Sequence, residues 1–323
     1  MDIVRFGVVG LGVIGRRRAR QITETDNAVL EGACDTDEKQ LKNAAEELNC
    51  KTFSSYEEML EDVSINVVYL ITPPMTHLEL IDKAAKAGKH VIVTKPMETN
   101  VERSRRIIEI CRLQNMSLIV DYEMRYMPAL QQWKGAVDAG EFGDIVFAEA
   151  RCKWWREQSY FDERKWRGFW ESAGGGALAI QGIHVVDLLV WLCGDVKVVT
   201  ARCGTFSHAV EVDDITVALL EMPNGRPATI TATINHHLDD EFGVAISGTL
   251  GSASNLRGER PVVKFKAEGC EKLKTPRGDW PRSAAEDMVM VLREGRKPYV
   301  PGEEGIRSIK LMEDIYKAAG VRR

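Results

Sequence analysis

The sequence predicts an α/β fold with two domains. Residues 1–121 are expected to form a doubly wound parallel sheet, and residues 122–323 an α+β domain with a large, mostly antiparallel open sheet. Apolar runs of strand length alternate with helix-compatible segments through the first part, which indicates parallel strands with helical crossovers. A glycine-rich turn follows the first of these runs. In the second part, short alternating strands are joined by turns such as residues 223–225, Pro-Asn-Gly.

The first strand, turn and helix form the opening unit of the chain. The apolar run Phe6–Val9 leads into the pattern G-x-G-x-x-G, which consists of Gly10, Gly12 and Gly15. The first glycine permits the sharp turn, the second lets a pyrophosphate lie against the backbone, and the third allows close packing of helix and sheet. This spacing after a strand and before a helix is typical of a Rossmann dinucleotide-binding domain.

The positions around the glycines predict how the dinucleotide is held. The first helix begins at about Val13 and Ile14, where backbone N–H groups and the positive end of the helix dipole favour phosphate. Asp35 lies about 20 residues beyond the last glycine, where an acid binds the ribose hydroxyls. Because this carboxylate would repel a 2′-phosphate, NAD is favoured over NADP.

A basic run on the first helix leaves the alternative cofactor open. Arg16, Arg17, Arg18 and Arg20 are expected to form mostly a solvated face. An arginine at this place could also reach a 2′-phosphate, so NADP remains the second possibility.

The remaining elements of the first domain follow in order. Helices are predicted over 37–48, 56–61, 76–87 with Thr76 as N-cap, and 100–114; strands are predicted near 52 and over 66–71, 90–94 and 118–121. The glycine turn, the segment Thr72–Pro74 and Lys95-Pro96 each follow a strand end. In doubly wound sheets ligands bind beyond the carboxyl ends of the strands, so these segments should converge on one crevice.

The second domain begins with a helix and a long strand and ends with two helices. Helices are predicted over 127–139, 177–192, 283–294 and 304–319, and strands over 145–154, 197–205, 214–222, 226–235, 242–247, 252–256 and 261–266. One face of this open sheet is expected to pair with another subunit, which would give a homodimer or homotetramer.

Composition narrows the class of partners and the compartment. The formal net charge of −5 with mixed signs gives no indication of a nucleic-acid or membrane partner. Seven cysteines occur without a C-x-x-C pair, which favours reduced thiols in the cytoplasm and neither a disulfide framework nor a metal site. The chain begins directly with a strand, and no secretory leader or membrane span is expected.

Five motifs together resemble the Gfo/Idh/MocA oxidoreductases, the group of glucose-fructose oxidoreductase and inositol dehydrogenase. They are VVGLGVIG, ITPPMTH, AGKHVIVTKP, YEMRYMPAL and GGGALAIQGIHVVD, in the order and spacing of that family. The resemblance covers essentially the whole chain. It implies an NAD(P)-dependent enzyme that moves a hydride between nicotinamide and a secondary alcohol or ketone of a sugar, glycoside or cyclic polyol.

Two residues are the candidate catalytic groups. Lys95 follows the fourth long strand of the first domain, where its ammonium group can stabilise negative charge on the substrate oxygen. His184 can accept and return a proton near neutral pH. The resemblance implies these roles for the lysine of the family's E-K-P motif and for the histidine after the triple glycine. Thr72, Pro73 and Pro74 are expected to shape the nicotinamide wall, with His77 nearby.

The segment WWREQSYFDERKWRGFWESAGGGA combines aromatic and hydrogen-bonding side chains, which suits a sugar ring. The alternative is a loop held to the core by its aromatic residues. The candidate substrate contacts outside the catalytic pair are Tyr122, Arg125, Trp155, Arg156, Gln158 and Ile180.

The chain departs from the family pattern at two positions. Thr94 replaces the glutamate of E-K-P, which removes a charge beside the lysine. Ile180 stands where many relatives have an acid or amide four residues before the histidine, and it cannot hydrogen-bond a substrate. Either the lysine and histidine suffice, or another polar group substitutes; Asp187 is expected to be a structural partner of its helix.

Three functions therefore stay open. The leading one is an NAD-dependent dehydrogenase of a sugar or cyclic polyol. The second is a nucleotide-sugar dehydrogenase or an NADP-dependent sugar reductase. The third, favoured by Ile180, is a catalytically silent relative that binds dinucleotide and sugar as a regulator.

Overall fold

The computed structural model describes residues 3–258, 260–266, 272–276 and 278–321, and Cys270 lies outside them. The chain divides into two compact units. The first unit comprises Met1–Glu98, Glu102–Glu123 and Pro281–Gly305; the second comprises Thr99–Val101, Met124–Trp280 and Ile306–Arg323. The first unit therefore recruits a late segment, 281–305, in addition to the N-terminal part of the chain.

The N-terminal part forms a six-stranded parallel sheet with helical crossovers, as predicted. Its elements are β1 (Val4–Val9), α1 (Val13–Thr23), β2 (Ala28–Cys34), α2 (Glu38–Leu48), β3 (Lys51–Phe53), α3 (Tyr56–Glu61), β4 (Val67–Leu70), α4 (His77–Lys86), β5 (His90–Thr94), α5 (Val101–Leu113) and β6 (Leu118–Asp121). The strand order is β3-β2-β1-β4-β5-β6, so the order reverses between β1 and β4. Strands β4 and β6 are buried at every position, which explains their continuous apolar runs.

The start of α4 differs from the prediction. Thr76 occupies the N-cap position, as predicted, but its hydroxyl donates to the Pro73 carbonyl at 2.7 Å and forms no side-chain cap. A 3-10 turn, Pro74–Thr76, precedes the α-helix. Helical structure therefore begins at Pro74, two residues before the predicted start at Thr76. The predicted cap residue is therefore already inside a turn when α4 begins.

The second unit is built on a seven-stranded sheet. The elements after β6 are α6 (Pro128–Asp138), β7 (Ile145–Lys153), α7 (Ser159–Asp162), α8 (Trp170–Ala173), α9 (Ile183–Cys193), β8 (Lys197–Gly204), β9 (Ile215–Glu221), β10 (Pro227–Thr233), β11 (Glu241–Gly248), β12 (Gly251–Ser254), β13 (Val262–Phe265), α10 (Ala284–Glu294) and α11 (Gly302–Ala318). The strand order is β13-β12-β11-β7-β10-β9-β8, and only β7 and β10 are parallel neighbours. The prediction of a mostly antiparallel sheet is confirmed.

The segment before α9 corrects the prediction of one continuous helix over 177–192. Residues Ala177–Gln181 form a π-helical turn, in which the amide of Gly182 donates to the carbonyl of Ala177 at 2.8 Å. The α-helix then begins at Ile183. A π-helical turn holds one residue more than an α-helical turn, and hydrophobic periodicity does not reveal it.

Within the described residues, no single helix is both long and apolar enough to cross a membrane. Only the bent pair Trp170–Gln181 and Ile183–Cys193, with 64° between its halves, meets those criteria jointly.

Candidate active site

The three glycines of the first turn occupy three different environments. Gly10 has a φ of +91°, and a Cβ on it would clash with the carbonyl oxygen of Ile71. A Cβ on Gly15 would clash with the carbonyl oxygen of Gly10. A Cβ on Gly12 would meet nothing within 4 Å. The first and third glycines thus close the turn, while the second leaves open space along its backbone.

The beginning of α1 is suited to a phosphate. Gly12 is the N-cap and supplies no side-chain cap, and the first turn contains no acidic residue. Val13 and Ile14 are 77% and 45% exposed, although both are large apolar side chains. Backbone N–H groups at a helix N-terminus bind anions, so the start of α1 and the open space at Gly12 fit a pyrophosphate.

Asp35 lies beside this turn at the end of β2. One carboxylate oxygen accepts a hydrogen bond from the Leu11 amide at 2.6 Å, and the other accepts from the Asp37 amide at 3.0 Å. A carboxylate has about four lone-pair sites, so two remain for the hydroxyls of a ribose. The residues of this turn therefore fit NAD.

The arginines of α1 do not all form the solvated face that the sequence predicts. Arg18 is buried, and its guanidinium donates to Asp121 at 2.6 Å and to Glu123 at 2.7 Å. Burial opposes its charge, but the two carboxylates raise the pKa of Arg18 above the usual value. Arg16 points elsewhere: its guanidinium lies 3.4 Å from the side-chain oxygen of Gln40 in α2.

His77 joins two strand ends of the first unit. Its fully buried ring lies 3.0 Å from the carbonyl oxygen of Thr72, after β4, and 3.0 Å from that of Met97, after β5. Burial lowers the pKa of His77, although the two carbonyls and the charge of Glu98 act in the opposite direction. The ring holds these backbone segments, which include the predicted nicotinamide wall, in place.

Lys95 directly follows β5 and its side chain is half-buried. The next strand end carries Tyr122, which is fully buried and whose hydroxyl lies 3.5 Å from the Gly305 carbonyl oxygen. Three contacts connect the ends of β1, β2, β4 and β5. Asp35 bonds the glycine turn, Gly10 of that turn lies against Ile71, and His77 joins Thr72 to Met97. These strand-end segments therefore lie next to one another within the first unit, and their lining of one ligand crevice stays a prediction.

In the second unit, His184 lies in the first turn of α9 and is 7% exposed. Its ring contacts Phe242 edge to face, with 5.9 Å between centroids. Ile180 is half-buried in the π-helical turn, and the next residue, Gln181, is buried. The Gln181 amide nitrogen donates to the Tyr160 hydroxyl at 2.9 Å. This amide lies three residues before the histidine, whereas the family pattern points to the position four residues before it, so the sequence did not predict it.

Asp187 and Arg125 form a buried ion pair. The Nε and a terminal nitrogen of Arg125 donate to the two Asp187 oxygens at 2.8 and 2.7 Å, and Ser308 adds a hydrogen bond of 3.0 Å. Asp187 lies one helical turn after His184, so the pair orients the helix that carries the histidine. The expectation that Asp187 is a structural partner agrees with this geometry.

Asp213 holds the triple-glycine loop in front of this helix. Its carboxylate accepts hydrogen bonds from the amides of Gly176 and Leu178 at 2.7 and 3.1 Å, and from the hydroxyls of Thr216 and Tyr316 at 2.8 and 2.7 Å. The sequence signal, a pair of aspartates before a strand, did not single out this residue.

The aromatic segment places the remaining predicted contacts. Trp155 is 37% exposed, and its ring stacks on that of His237 at 3.6 Å. Gln158 uses both ends of its amide within the chain, donating to Asp162 at 3.1 Å and accepting from the Ala209 amide at 2.9 Å. The Arg156 guanidinium lies over the rings of Trp154 and Tyr160.

Residues that could hold a metal ion do not cluster in the part of the chain that the structure describes: no group of three or more His, Cys, Asp or Glu side chains is suitably placed. The polar groups described above are side-chain acids, side-chain bases and hydrogen-bond donors. Such groups can transfer protons and bind hydroxyl and phosphate groups within each unit.

Comparisons with known proteins bear on both halves of the chain. Residues 4–122 match the model of an oxidoreductase family with an NAD-binding Rossmann fold, and residues 130–254 match the GFO/IDH/MocA C-terminal domain. The crystal structure of the WlbA dehydrogenase from Bordetella pertussis in complex with NADH and UDP-GlcNAcA is similar at TM-score 0.90 and 31% identity, with 99% of this chain and 97% of that chain covered.

Two curated proteins are more distant relatives. D-xylose 1-dehydrogenase [NADP(+)] of Haloarcula marismortui is 25% identical over 98% of this chain and 91% of its own length. The 2,7-anhydro-N-acetylneuraminate hydratase of Escherichia coli (strain K12) is 27% identical over 77% of this chain and 67% of its own length.

Proposed function

Since the chain belongs to the GFO/IDH/MocA family of NAD-binding oxidoreductases, we propose that it transfers a hydride between NAD and a secondary alcohol or ketone of a sugar, glycoside or cyclic polyol. The observation that carries the proposal is the open backbone at Gly12 beside the Asp35 carboxylate. These groups fit the pyrophosphate and the ribose of NAD, respectively.

The chain's own residues supply the acid–base chemistry. When bound, NAD supplies the hydride acceptor or donor at the nicotinamide ring. The proposal assigns His184 to remove the hydroxyl proton during oxidation and to return it during reduction. It assigns the Lys95 ammonium to stabilise the negative charge that develops on the same oxygen. Thr72, Pro73 and Pro74 line the nicotinamide in this proposal, and His77 holds this segment through its contact with the Thr72 carbonyl.

Turnover of a sugar panel tests this function. The full chain is mixed with NAD and, in turn, with aldoses, uronic acids and cyclitols, while NADH absorbance is recorded; the reverse reaction uses NADH and the keto sugars. We expect turnover with at least one member. No turnover with any of them, together with intact NADH binding by calorimetry, would contradict the proposal and favour a catalytically silent regulator.

A nucleotide sugar is the second candidate substrate. The similarity to WlbA, whose crystal structure contains NADH and UDP-GlcNAcA, extends over 99% of this chain at 31% identity and favours it. Parallel assays with UDP-linked and free forms of one sugar separate the candidates. Higher kcat/KM for the UDP-linked form supports the second, and equal or lower kcat/KM supports the first.

The proposal includes a cytoplasmic homo-oligomer. Six described cysteines are free thiols, which is compatible with a reducing compartment. Val199, Val217 and Leu219 on β8 and β9 are 59%, 46% and 40% exposed, so this sheet carries apolar surface that a second copy could cover. Light scattering of the purified chain measures the mass; a monomer at every concentration would contradict this part.

A further inference from the structure

Two arginines of the aromatic segment share one tyrosine ring. The guanidinium carbon of Arg167 lies 4.0 Å from the centroid of the Tyr160 ring, and that of Arg156 lies 5.7 Å from it. Both arginine side chains are half-buried. The two guanidinium carbons are therefore at most 9.7 Å apart (4.0 + 5.7 Å), in a place that is partly withdrawn from water.

Neither arginine pairs with a carboxylate within the described ranges. Arg156 donates to the Trp155 carbonyl at 2.7 Å, and Arg167 donates to the Tyr160 carbonyl at 2.9 Å. Other arginines of this unit behave differently, since Arg151 donates to both Glu149 and Glu241. Glu163 acts on Arg167 through its charge without forming an ion pair with it. Like charges repel each other, and partial burial increases the energetic cost of that repulsion.

The electrostatic environment of Arg167 agrees with this geometry. Burial lowers the pKa of Arg167 below its usual value, and the charges of Arg164 and Arg156 act in the same direction, whereas Tyr160 and Glu163 oppose the shift. The guanidinium remains charged at any physiological pH because arginine loses its proton only under strongly basic conditions. An anion placed here would compensate the repulsion.

The pair is connected to the candidate catalytic histidine by direct contacts within the second unit. The Tyr160 hydroxyl bonds Gln181, three residues before His184. On the other side, the Trp154 ring lies under Arg156 at 5.0 Å and stacks on Phe242 at 4.8 Å, and Phe242 touches His184. The arginines thus belong to the same cluster as the residue proposed to move the proton.

We infer that the substrate carries a negatively charged group, a carboxylate or a phosphate on the sugar, and that Arg156 and Arg167 bind it. The inference rests on the proposed function, because it names the substrate class of that same site. Each guanidinium has five N–H donors, and stacking on an aromatic ring fixes its plane. Such a donor fork matches the paired oxygens of a carboxylate or phosphate.

Matched sugars test the inference by binding alone. The full chain saturated with NADH is titrated by calorimetry with glucose, glucuronate and glucose 1-phosphate. At least one anionic form is expected to bind about tenfold or more tightly than glucose, as a charge-assisted contact provides. Tighter binding of glucuronate identifies a carboxylate, and tighter binding of glucose 1-phosphate identifies a phosphate.

Variants then locate the preference. Arg156→Gln and Arg167→Gln should each remove most of it, and Arg167→Lys, which keeps the charge, should retain part. Lys165→Gln is the control: Lys165 is an exposed cation of the same segment, and its substitution should leave the preference intact. Circular dichroism of each variant checks the fold.

The outcomes separate this inference from the proposed function. Equal affinity for all three sugars, no binding of either anion, or a preference that survives both glutamine substitutions would overturn the inference. Turnover is measured independently. Turnover of neutral sugars without an anion preference would leave the proposed function intact and overturn the inference. Preferential binding of an anion without any turnover would support the inference and contradict the proposed function.

Discussion

The carboxylate of Asp35 accepts a hydrogen bond from the backbone amide of Leu11 at 2.6 Å. The acid at the end of β2 and the turn between Gly10 and Gly12 are therefore one hydrogen-bonded unit. The Asp35 carboxylate, which is expected to bind the ribose hydroxyls, is therefore fixed in position relative to the backbone that is expected to face the pyrophosphate.

This contact predicts the effect of Asp35→Ala on cofactor choice. NAD affinity should fall about 10- to 100-fold, because a charged hydrogen-bond acceptor is lost, and discrimination against NADP should weaken. Fluorescence titration with NADH and NADPH measures both effects. Asp37→Asn, two residues later, is the control, since within the described residues that side chain accepts a hydrogen bond from the Lys39 amide alone, and asparagine keeps an accepting oxygen. An unchanged preference would mean that Asp35 does not contact the ribose.

Lys95→Ala should lower kcat about 10²- to 10³-fold with little change in NADH affinity, the range seen when a group that stabilises transition-state charge is removed. Steady-state kinetics and a separate NADH titration give the two values. Lys86→Ala removes an exposed lysine of α4 and should leave both at wild-type level. If Lys95→Ala were as active as the wild type, the lysine would have no part in the mechanism.

The Asp213 carboxylate predicts a positioning effect. In Asp213→Asn one accepting oxygen becomes a donor that faces two other donors, so the loop from Gly176 to Leu178 should shift. We expect kcat to fall roughly 10- to 100-fold, since displacement of reacting groups by about 1 Å has effects of this size. NADH affinity should stay constant. Tyr316→Phe, which removes a single donor, should cause a smaller loss; wild-type kcat in Asp213→Asn would contradict this role.

The Arg125–Asp187 pair predicts a large effect on stability. Asp187→Ala leaves a buried guanidinium without its carboxylate and should lower the free energy of unfolding by about 3–5 kcal/mol. Urea unfolding followed by circular dichroism measures it. The comparison is Asp195→Ala, which breaks a pair with Arg307 on a side chain that is 78% exposed and should cost less than about 1 kcal/mol. Equal losses in the two variants would contradict this ranking.

Asp214 predicts a pH dependence of stability. Burial raises its pKa, but hydrogen bonds from Ser207, Phe206 and His208 outweigh burial and lower the pKa below the usual value. The folded state therefore binds a proton less readily than the unfolded state. The stabilisation is present above about pH 4 and is lost as the pH falls through the lower folded value.

Asp214→Asn should consequently be less stable than the wild type at neutral pH, and the difference should shrink as the pH falls below about 4. Melting temperatures over a pH series measure this. Asp239→Asn, an exposed residue of the same unit, is the control and should follow the wild-type curve. A difference that is the same at all pH values would exclude titration of Asp214 as its source.

Strands of the first sheet were predictable because their local signals are strong. The bounds of β5 and β6 agree with the sequence prediction at both ends. Each is an apolar run bounded by residues that break a strand, such as Gly88 before β5 and Lys95-Pro96 after it. The glycine spacing likewise predicted the turn, since the spacing itself carries the steric requirement.

Features that depend on distant partners were not predictable. Arg18 looks like a surface arginine until Asp121, 103 residues later in the chain, is placed beside it. Asp213 reaches Tyr316 across the same separation of 103 residues. A separation of four residues in the sequence suggests that Ile180 and His184 share one face of a helix. The π-helical turn between them changes which side chains share a face.

The π-helical turn Ala177–Gln181 also makes the surroundings of His184 sensitive to chain length. Removing one residue between Ala177 and Gln181 would restore ordinary α-helical hydrogen bonding. The remaining residues of the turn would then rotate by about 100° about the helix axis relative to His184, because an α-helix has 3.6 residues per turn. A one-residue insertion or deletion in this turn would therefore change which side chains share a face with His184 without replacing the histidine itself.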